Sequence, residues 1–210
     1  MEFDESFWDE RYRQHGEHSS VWSGQPNAQL VAEAAELVPG SALDVGAGEG
    51  ADAVWLARHG WRVTAVDISS VALARAASAV RDDPATAARI TWKHQDLTAA
   101  PPPAGTFDLV SAQYLHLPPA QRDGVYGQLA ASVAPGGTLL IVGHHPSDLE
   151  TSARRPSVPG LLFTAEQLAA QLDLLEWEIL TCASRLRAAT DPDGAPVTVQ
   201  DSVLRARRRP

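Results

Sequence analysis

A short, acidic and glycine-rich segment is the part of this sequence best suited to chemistry. The run Ala42-Leu-Asp-Val-Gly-Ala-Gly-Glu-Gly50 places Asp44 inside an apolar stretch, and Gly46 and Gly48 follow it directly. Glycine lets the backbone approach a ligand closely because no Cβ obstructs it. Asp67 ends the next apolar stretch, where a carboxylate can accept both hydroxyls of a ribose. The spacing therefore predicts a nucleoside-binding turn.

The charges of this turn indicate which nucleoside it binds. Its glycines, together with Ala51, also satisfy the dinucleotide pattern G-x-G-x-x-G/A, which brings a pyrophosphate to the turn. The turn carries Asp44, Glu49 and Asp52, however, and a carboxylate about 4 Å from a phosphate costs on the order of several kcal/mol in a partly buried site. S-adenosylmethionine has no phosphate, and its cationic methionine end suits Asp44. The sequence favours this cofactor, with a nicotinamide dinucleotide as the alternative.

Candidate acid–base residues follow the two apolar runs that we expect to form strands four and five. Tyr114 and His116 come after the first run, and His144 and His145 after the second. Histidines at a strand end can hold a base near neutral pH, which methyl transfer needs only when the acceptor must lose a proton. We predict His116 and His144 as catalytic residues. The competing interpretation makes them structural residues bonded to the backbone. No metal is expected, since no cysteine or spaced carboxylate accompanies them.

Alternating elements predict the scaffold that positions these residues. Helices are expected at 26–38, 51–59, 69–80, 118–133 and 164–172, and strands at 41–45, 61–66, 90–94, 107–111, 138–142, 177–187 and 197–207. The sequence Pro135-Gly136-Gly137 is interpreted as a sharp turn, and Asp191-Pro-Asp-Gly194 as the turn of a hairpin. The predicted fold is α/β, a doubly wound, mostly parallel, Rossmann-like sheet of seven strands with a C-terminal antiparallel hairpin.

The segments Leu43–Ala57 and Gly60–Ser69 resemble the class I S-adenosylmethionine-dependent methyltransferases. More narrowly, about residues 6–143 are similar to the bacterial small-molecule group that includes tellurite-resistance and thiopurine-type methyltransferases. The resemblance implies cofactor contacts from the glycine turn, the ribose acid, the ends of strands three and four, and the N-terminal aromatic residues. These positions are Asp44, Gly46, Ala47, Gly48, Asp67, Ile68, Asp96, Leu97, Gln113, Trp8, Tyr12 and Trp22.

The sequence departs from one branch of that family. Amino-methylating relatives often carry an Asn/Asp-Pro-Pro-Tyr/Phe run where this chain has Phe107-Asp-Leu-Val-Ser-Ala-Gln-Tyr114. Methylation of DNA or of protein amides is therefore disfavoured. The expected function is transfer of a methyl group from S-adenosylmethionine to a small-molecule acceptor, on an O, N or S atom, by in-line displacement. The alternatives are an NAD(P)-dependent oxidoreductase on the same topology and a non-catalytic S-adenosylmethionine-binding module.

Composition bounds the organisation and the partners. The 210 residues, 44% of them hydrophobic, fit a single domain over 1–210. A net charge of −9 disfavours nucleic acid, and the basic tail Arg205, Arg207, Arg208 and Arg209 is interpreted as a solvated end. One cysteine, an acidic N-terminus and the lack of an apolar run of about 20 residues predict a cytoplasmic protein without a membrane partner. We expect a monomer or a homodimer.

Two segments are predicted to close over the site. Residues 1–25 are expected to cover the cofactor, as implied by the family resemblance. Residues 143–160 follow the carboxyl end of strand five, where open parallel sheets place their ligands, and form a possible lid. Arg154 and Arg155 of this loop are interpreted as solvated side chains.

Overall fold

The structure is a computed structural model that describes residues 3–15 and 20–210. The helices are α1 Glu5–Gln14, α2 Ala28–Ala34, α3 Ala51–Arg58, α4 Ser70–Ala79, α5 Pro84–Ala87, α6 Pro119–Ser132 and α7 Ala165–Ala169, with a 3₁₀ helix at Pro146–Glu150. The strands are β1 Ser41–Val45, β2 Arg62–Asp67, β3 Ile90–His94, β4 Phe107–Gln113, β5 Val133–His144, β6 Trp177–Thr190 and β7 Pro196–Arg208.

All seven strands form one sheet in the order β3-β2-β1-β4-β5-β7-β6. Strands β1 to β5 pair in parallel, and β7 pairs antiparallel with both β5 and β6. The predicted fold class, including the C-terminal hairpin, is confirmed. The strand order reverses between β1 and β4, so the crevice at their carboxyl ends is where this topology binds its ligand.

Two apolar clusters hold the helices onto the two faces of the sheet. The cluster toward α6 and α7 includes Leu43, Val45, Leu129, Phe163 and Leu168. The cluster toward α2 and α3 includes Leu30, Ala42, Leu56, Trp61 and Val203. Ala42 and Leu43 are neighbours in β1 yet belong to different clusters, because successive strand residues point to opposite faces. The same alternation directs Asp44 toward the α3 side.

Side-chain caps fix where several helices begin. Ser69 accepts a hydrogen bond from the backbone N–H of Ala72 and so caps α4. Thr164 and Gln167 form a reciprocal capping box at the start of α7. Helix α2 is shorter than the predicted 26–38, because Asn27 caps it and the helix ends at Ala34.

Two interpretations of the C-terminal half are wrong. The predicted turn at 135–137 lies inside β5, where the ladder with β4 shifts register and Gly136 adopts a φ of +79°. Such a bulge lets the strand bend without ending, so β5 begins at Val133 rather than at 138. The arginine tail is not a solvated end throughout: Arg207 and Arg209 are exposed, but Arg205 lies 3.4 Å from a Glu33 oxygen, and Arg208 donates to the Val133 carbonyl at 2.7 Å.

The β6–β7 hairpin is longer than the strand it joins. Strand β7 pairs with β5 only as far as His144 opposite Asp201, whereas its pairing with β6 continues to Thr190 opposite Pro196. The hairpin therefore projects past the carboxyl end of β5, the end at which the ligand crevice opens. Within residues 3–15 and 20–210, no helix is long and apolar enough to cross a membrane.

Candidate active site

The glycine turn adopts a conformation that other residues resist. Gly46 and Gly48 have φ values of +67° and +53°, a region that L side chains rarely enter. A Cβ on Gly48 would lie 3.0 Å from the hydroxyl of Tyr12, and one on Gly46 would lie 3.3 Å from Cδ1 of Leu115. The N–H groups of Gly46 and Ala47 both donate to the Val66 carbonyl, which ties the turn to β2.

Asp67 closes the turn from the end of β2. Its Oδ2 accepts the N–H of Gly48 at 2.7 Å, and its Oδ1 accepts the N–H of Ser69 at 2.8 Å. A carboxylate has about four acceptor positions, so two remain for the hydroxyls of a ribose. Burial raises the pKa of Asp67, and the two backbone donors oppose that rise.

Asp44 forms the floor of the turn. Its side chain is 2% exposed, and its Oδ2 is buried without a hydrogen-bond partner. Burial raises the pKa of Asp44 well above its usual range, and the charges of Asp52 and Asp67 raise it further. Glu49, by contrast, pairs with Arg75 at 3.2 Å, so its charge is compensated. The sequence argument for a cationic ligand rested on Asp44, Glu49 and Asp52. Because Glu49 is paired, only Asp44 and Asp52 still support that argument.

Helix α1 lies against this turn. Asp9, 6% exposed, accepts from the Ser69 hydroxyl at 2.6 Å and from the Val71 N–H at 3.3 Å, which docks α1 onto the start of α4. This places the buried Tyr12 beside Gly48, where its hydroxyl accepts the Nε1–H of Trp22 at 2.9 Å. The predicted cover of 1–25 thus includes Tyr12 and Trp22 at the turn, while residues 1, 2 and 16–19 lie outside the described residues.

Trp22 and Trp8 occupy different positions. The Trp22 ring is 48% exposed, and the Arg11 guanidinium lies 5.1 Å from its centroid. The Trp8 ring packs instead against Phe7 at 5.2 Å and Phe3 at 6.4 Å. The Trp22 ring therefore lies beside the glycine turn, next to Gly48, whereas the ring contacts of Trp8 lie within the N-terminal segment. A cofactor contact by Trp8 stays a prediction.

The remaining predicted cofactor residues line the carboxyl ends of β2, β3 and β4. The Ile68 carbonyl accepts Nε2–H of His94 at 2.9 Å. Asp96 accepts both Thr98 donors on Oδ1, at 2.8 and 2.7 Å, and Leu97 packs against the cluster on the α6 side. Gln113 donates to the Ser111 hydroxyl at 2.8 Å and leaves its buried Oε1 without a partner.

Aromatic rings form a row along the carboxyl ends of β4 and β5. The Tyr114 and His144 rings stack at 4.4 Å, His144 and His116 at 4.9 Å, and His116 lies 5.9 Å from Phe163. The two predicted catalytic histidines are therefore in direct contact. Leu115, between Tyr114 and His116, faces Gly46, so this row adjoins the glycine turn.

The two histidines differ in what their ring nitrogens do. His116 Nε2 accepts the backbone N–H of His144 at 3.1 Å, while His144 Nδ1 is buried without a partner. Burial lowers the pKa of His116 to about 4. Burial and the positive charges of His116, Arg155 and Arg187 lower the pKa of His144 to about 2. Both rings are neutral at pH 7, and neither holds a base near neutral pH.

Asp201 organises the far side of this row. It is 1% exposed, accepts the Tyr114 hydroxyl at 2.9 Å, and pairs with Arg187 at 3.0 Å. Tyr114 has a φ of +55°, strained for a bulky residue, and its pKa is raised to about 12 by burial and by the Asp201 charge. The hydroxyl anchors the ring despite that strain.

The segment 143–160 is anchored to β7. Asp148 is fully buried, pairs with Arg155 at 2.9 Å and accepts the Gln200 N–H at 2.8 Å. Arg155 is therefore not the solvated side chain that the sequence suggested. Burial is the main cause of the lowered pKa values of His116 and His144, and the charge of the Arg155 guanidinium lowers both further. The lid remains a prediction, and any motion of it takes place around this anchor.

Sequence reasoning missed the acids that anchor these segments. Asp9, Asp148 and Asp201 are all buried, and each binds an arginine. Only Asp201 gave a usable signal, since it interrupts the apolar run of a strand. Within the described ranges, no group of three His, Cys, Asp or Glu residues could hold a metal ion.

The residues fit S-adenosylmethionine better than a diphosphate. The Asp44 oxygen at the floor of the glycine turn and the Gln113 oxygen at the end of β4 are buried acceptors without donors. An ammonium group supplies such donors, whereas a phosphate would add repulsion. The sheet order, the turn and these acceptors together are those expected of a Rossmann-like methyltransferase.

Comparison with known proteins agrees with this class. Residues 42–137 match the family model described as a methyltransferase domain. An uncharacterized methyltransferase of Mycobacterium tuberculosis is 41% identical over 101 residues, which are 48% of this chain and 48% of that protein. The chain thus spans about half the length of the curated relatives it matches. The matched residues, 42–137, thus resemble a methyltransferase domain, which agrees with the predicted family.

Solved structures confirm the fold over nearly the whole chain. TehB from Haemophilus influenzae has a TM-score of 0.72 at 18% identity, covering 98% of this chain and 67% of that chain. The N-methyltransferase NodS from Bradyrhizobium japonicum, solved with S-adenosylhomocysteine, has a TM-score of 0.69 at 17% identity, covering 97% and 98%. These structures confirm the predicted fold, and the methyltransferase match of residues 42–137 agrees with the predicted family and cofactor rather than with the dinucleotide alternative.

Proposed function

We propose that this chain transfers a methyl group from S-adenosylmethionine to a small-molecule acceptor. One observation carries the proposal: an unpartnered, buried Asp44 oxygen at a glycine turn adjoins a row of neutral rings at the ends of β4 and β5. The buried Asp44 oxygen suits a cationic nucleoside, and the neutral rings provide an uncharged protein surface for the acceptor. A net charge of −9 further disfavours a nucleic acid as the acceptor.

The chain's own residues bind and orient the cofactor. Asp44 and Gln113 accept from the ammonium end, Asp67 from the ribose, and Asp96 from the adenine amino group. Ile68, Leu97, Tyr12 and Trp22 exclude water around them. When bound, S-adenosylmethionine supplies a methyl carbon already activated by its sulfonium, so alignment and exclusion of water are the main requirements.

The two histidines take different roles in this proposal. His144 faces the acceptor with a neutral ring that can donate or accept a hydrogen bond, while His116 orients His144 by accepting its backbone N–H. General-base catalysis works best when the base has a pKa near the operating pH, and the pKa of His144 is about 2. We therefore expect an acceptor that already carries a free lone pair, such as a thiolate, a carboxylate or a neutral amine.

The test uses methyl-labelled S-adenosylmethionine with panels of thiols, carboxylic acids and amines, alongside RNA and protein. We expect label in a low-mass product, and Asp67→Ala should reduce both labelling and S-adenosylhomocysteine binding. Label in RNA or protein would overturn the small-molecule assignment. Cofactor binding without transfer to any acceptor would favour the non-catalytic binding module.

The organisation and location of the chain belong to the same proposal. We expect one domain over 1–210 that acts in the cytoplasm as a monomer or a homodimer, without a membrane partner. Support comes from the single sheet and from the free, half-buried Cys182, since a free thiol suits a reducing compartment. Light scattering on the purified protein and cell fractionation test these points.

A further inference from the structure

Two carboxyl groups at the floor of the cofactor site lack compensating charge. Asp44, 2% exposed, has an oxygen without a hydrogen-bond partner. Asp52, in the first turn of α3, accepts the backbone N–H of Asn27 at 2.6 Å through Oδ1. Neutral backbone N–H groups, including that of Ala53 toward Asp44, are their donors. The two carboxyl groups are therefore stabilised by neutral backbone N–H groups and not by a positively charged side chain.

The charged groups on the surrounding elements do not neutralise this pair. On the turn and α4, Glu49 and Arg75 pair with each other. On β3, His94 acts on Asp67 and pairs with Glu5 of α1 at 3.2 Å.

The other neighbouring groups add either negative charge or none. Asp67, at the end of β2, adds negative charge to Asp44. Tyr12 of α1 is a neutral phenol, because burial raises its pKa. From α2, the contact is the uncharged N–H of Asn27.

A buried carboxyl beside another carboxyl resists ionisation. Burial, and then the charges of Asp52 and Asp67, raise the pKa of Asp44 well above its ordinary range. Burial raises the pKa of Asp52 to about 6. A cation placed against the pair reverses this balance, because an opposite charge favours the ionised form.

We propose that the Asp44–Asp52 pair holds a proton in the cofactor-free protein and releases it to solvent when the α-ammonium group of the cofactor binds. Asp52 is thereby a second determinant of selectivity for the amino-acid end of the cofactor, although it lies in α3 and not in the glycine turn itself. The inference rests on the proposed cofactor site and adds a linked proton to it.

Calorimetry of S-adenosylhomocysteine binding measures this proton directly. Titrations at pH 6.5 in buffers of different ionisation enthalpy should show about one proton released per ligand bound. Between about pH 5.5 and 7 the Kd should fall by up to about tenfold per pH unit, since one proton is displaced. The ligand's own α-ammonium group stays charged in this window, because the neighbouring carboxylate makes it more basic than a chain terminus, whose pKa is about 7.7–8.0.

Methylthioadenosine separates the amino-acid end from the ribose. It shares the adenosine and the thioether but lacks the ammonium, so its binding should release no proton and show no pH dependence. Equal release with both ligands would assign the proton to the ribose side and overturn the inference.

Asp52→Asn tests the pair itself. The amide keeps an oxygen for the Asn27 N–H but removes a charge from Asp44, so the pH midpoint of S-adenosylhomocysteine affinity should move lower. Asp82→Asn, at an exposed position, is the matched control and should leave the midpoint unchanged. Binding with identical heats in all buffers, or an unmoved midpoint in Asp52→Asn, overturns the inference alone. Failure to bind at any pH overturns the cofactor site itself.

Discussion

The hydroxyl of Tyr114, on the segment after β4, donates a 2.9 Å hydrogen bond to the buried Oδ1 of Asp201 on β7. Asp201 is also the register partner of His144, the residue on which the Tyr114 ring stacks. One carboxylate therefore fixes a strained residue and supports its stacking partner from the neighbouring strand. The proposed acceptor side of the site is therefore linked to β7 through the Asp201 side chain.

Replacing Asp201 should destabilise the protein. Asp201→Ala leaves the half-buried Arg187 and the Tyr114 hydroxyl without their acceptor, and we expect a loss of about 2–3 kcal/mol in the free energy of unfolding. Asp201→Asn keeps an acceptor and should lose less. Urea denaturation measures both, with Asp193→Ala in the exposed hairpin turn as the control. Equal losses for the Ala and Asn variants would contradict the role of the retained acceptor.

Alanine variants of Gly48 and Gly105 distinguish the effect of backbone strain from the effect of a contact at the ligand site. Gly48 and Gly105 both have positive φ, at +53° and +61°, but only a Cβ on Gly48 meets Tyr12. Both alanine variants should lose about 1–2 kcal/mol of stability from strain. Only Gly48→Ala should weaken S-adenosylhomocysteine binding in calorimetry. Similar binding by the two variants would show that the approach of Tyr12 to the turn is unimportant.

Neighbouring arginines distinguish an anchored loop from a free one. Arg155→Ala strands the fully buried Asp148 without its ion pair, which should cost about 3 kcal/mol of unfolding free energy. Arg154→Ala is the control and should change stability by less than about 0.5 kcal/mol. Limited proteolysis within 143–160 should accelerate only in Arg155→Ala. Equal cleavage of both variants would mean that the ion pair does not hold the loop.

The buried carboxyl pair of Asp44 and Asp52 should make the cofactor-free protein less stable as pH rises. A carboxyl whose folded pKa is above its unfolded value binds more protons when folded, so its contribution falls from about pH 4 through about pH 6. Asp52→Asn removes this pH-dependent contribution and should be more stable than the parent at pH 7 by about 3 kcal/mol, with little advantage at pH 4. Thermal unfolding across this range measures the difference. A constant difference at all pH values would exclude titration of Asp52 as its cause.

Local patterns in the sequence predicted the strands, the glycine turn and the hairpin, because each depends on residues close together in the chain. An apolar run that ends in glycine marked β1, an apolar run that ends at Asp67 marked β2, and Asp-Gly marked the turn between β6 and β7. The pairs Asp148–Arg155 and Asp201–Tyr114 were not predicted, since no local pattern specifies which buried acid meets which donor. The low pKa of His144 also depends on burial and on Arg155 and Arg187, which only the fold brings together.

The order of the strands in space differs from their order in the chain, and this affects how the protein is made. Strand β7 follows β6 in the chain but lies between β5 and β6 in the sheet. During translation, β6 emerges with no sheet partner available, and both its edges stay open to other chains until β7 inserts. Conditions that slow synthesis after Thr190 should therefore promote aggregation of the nascent chain.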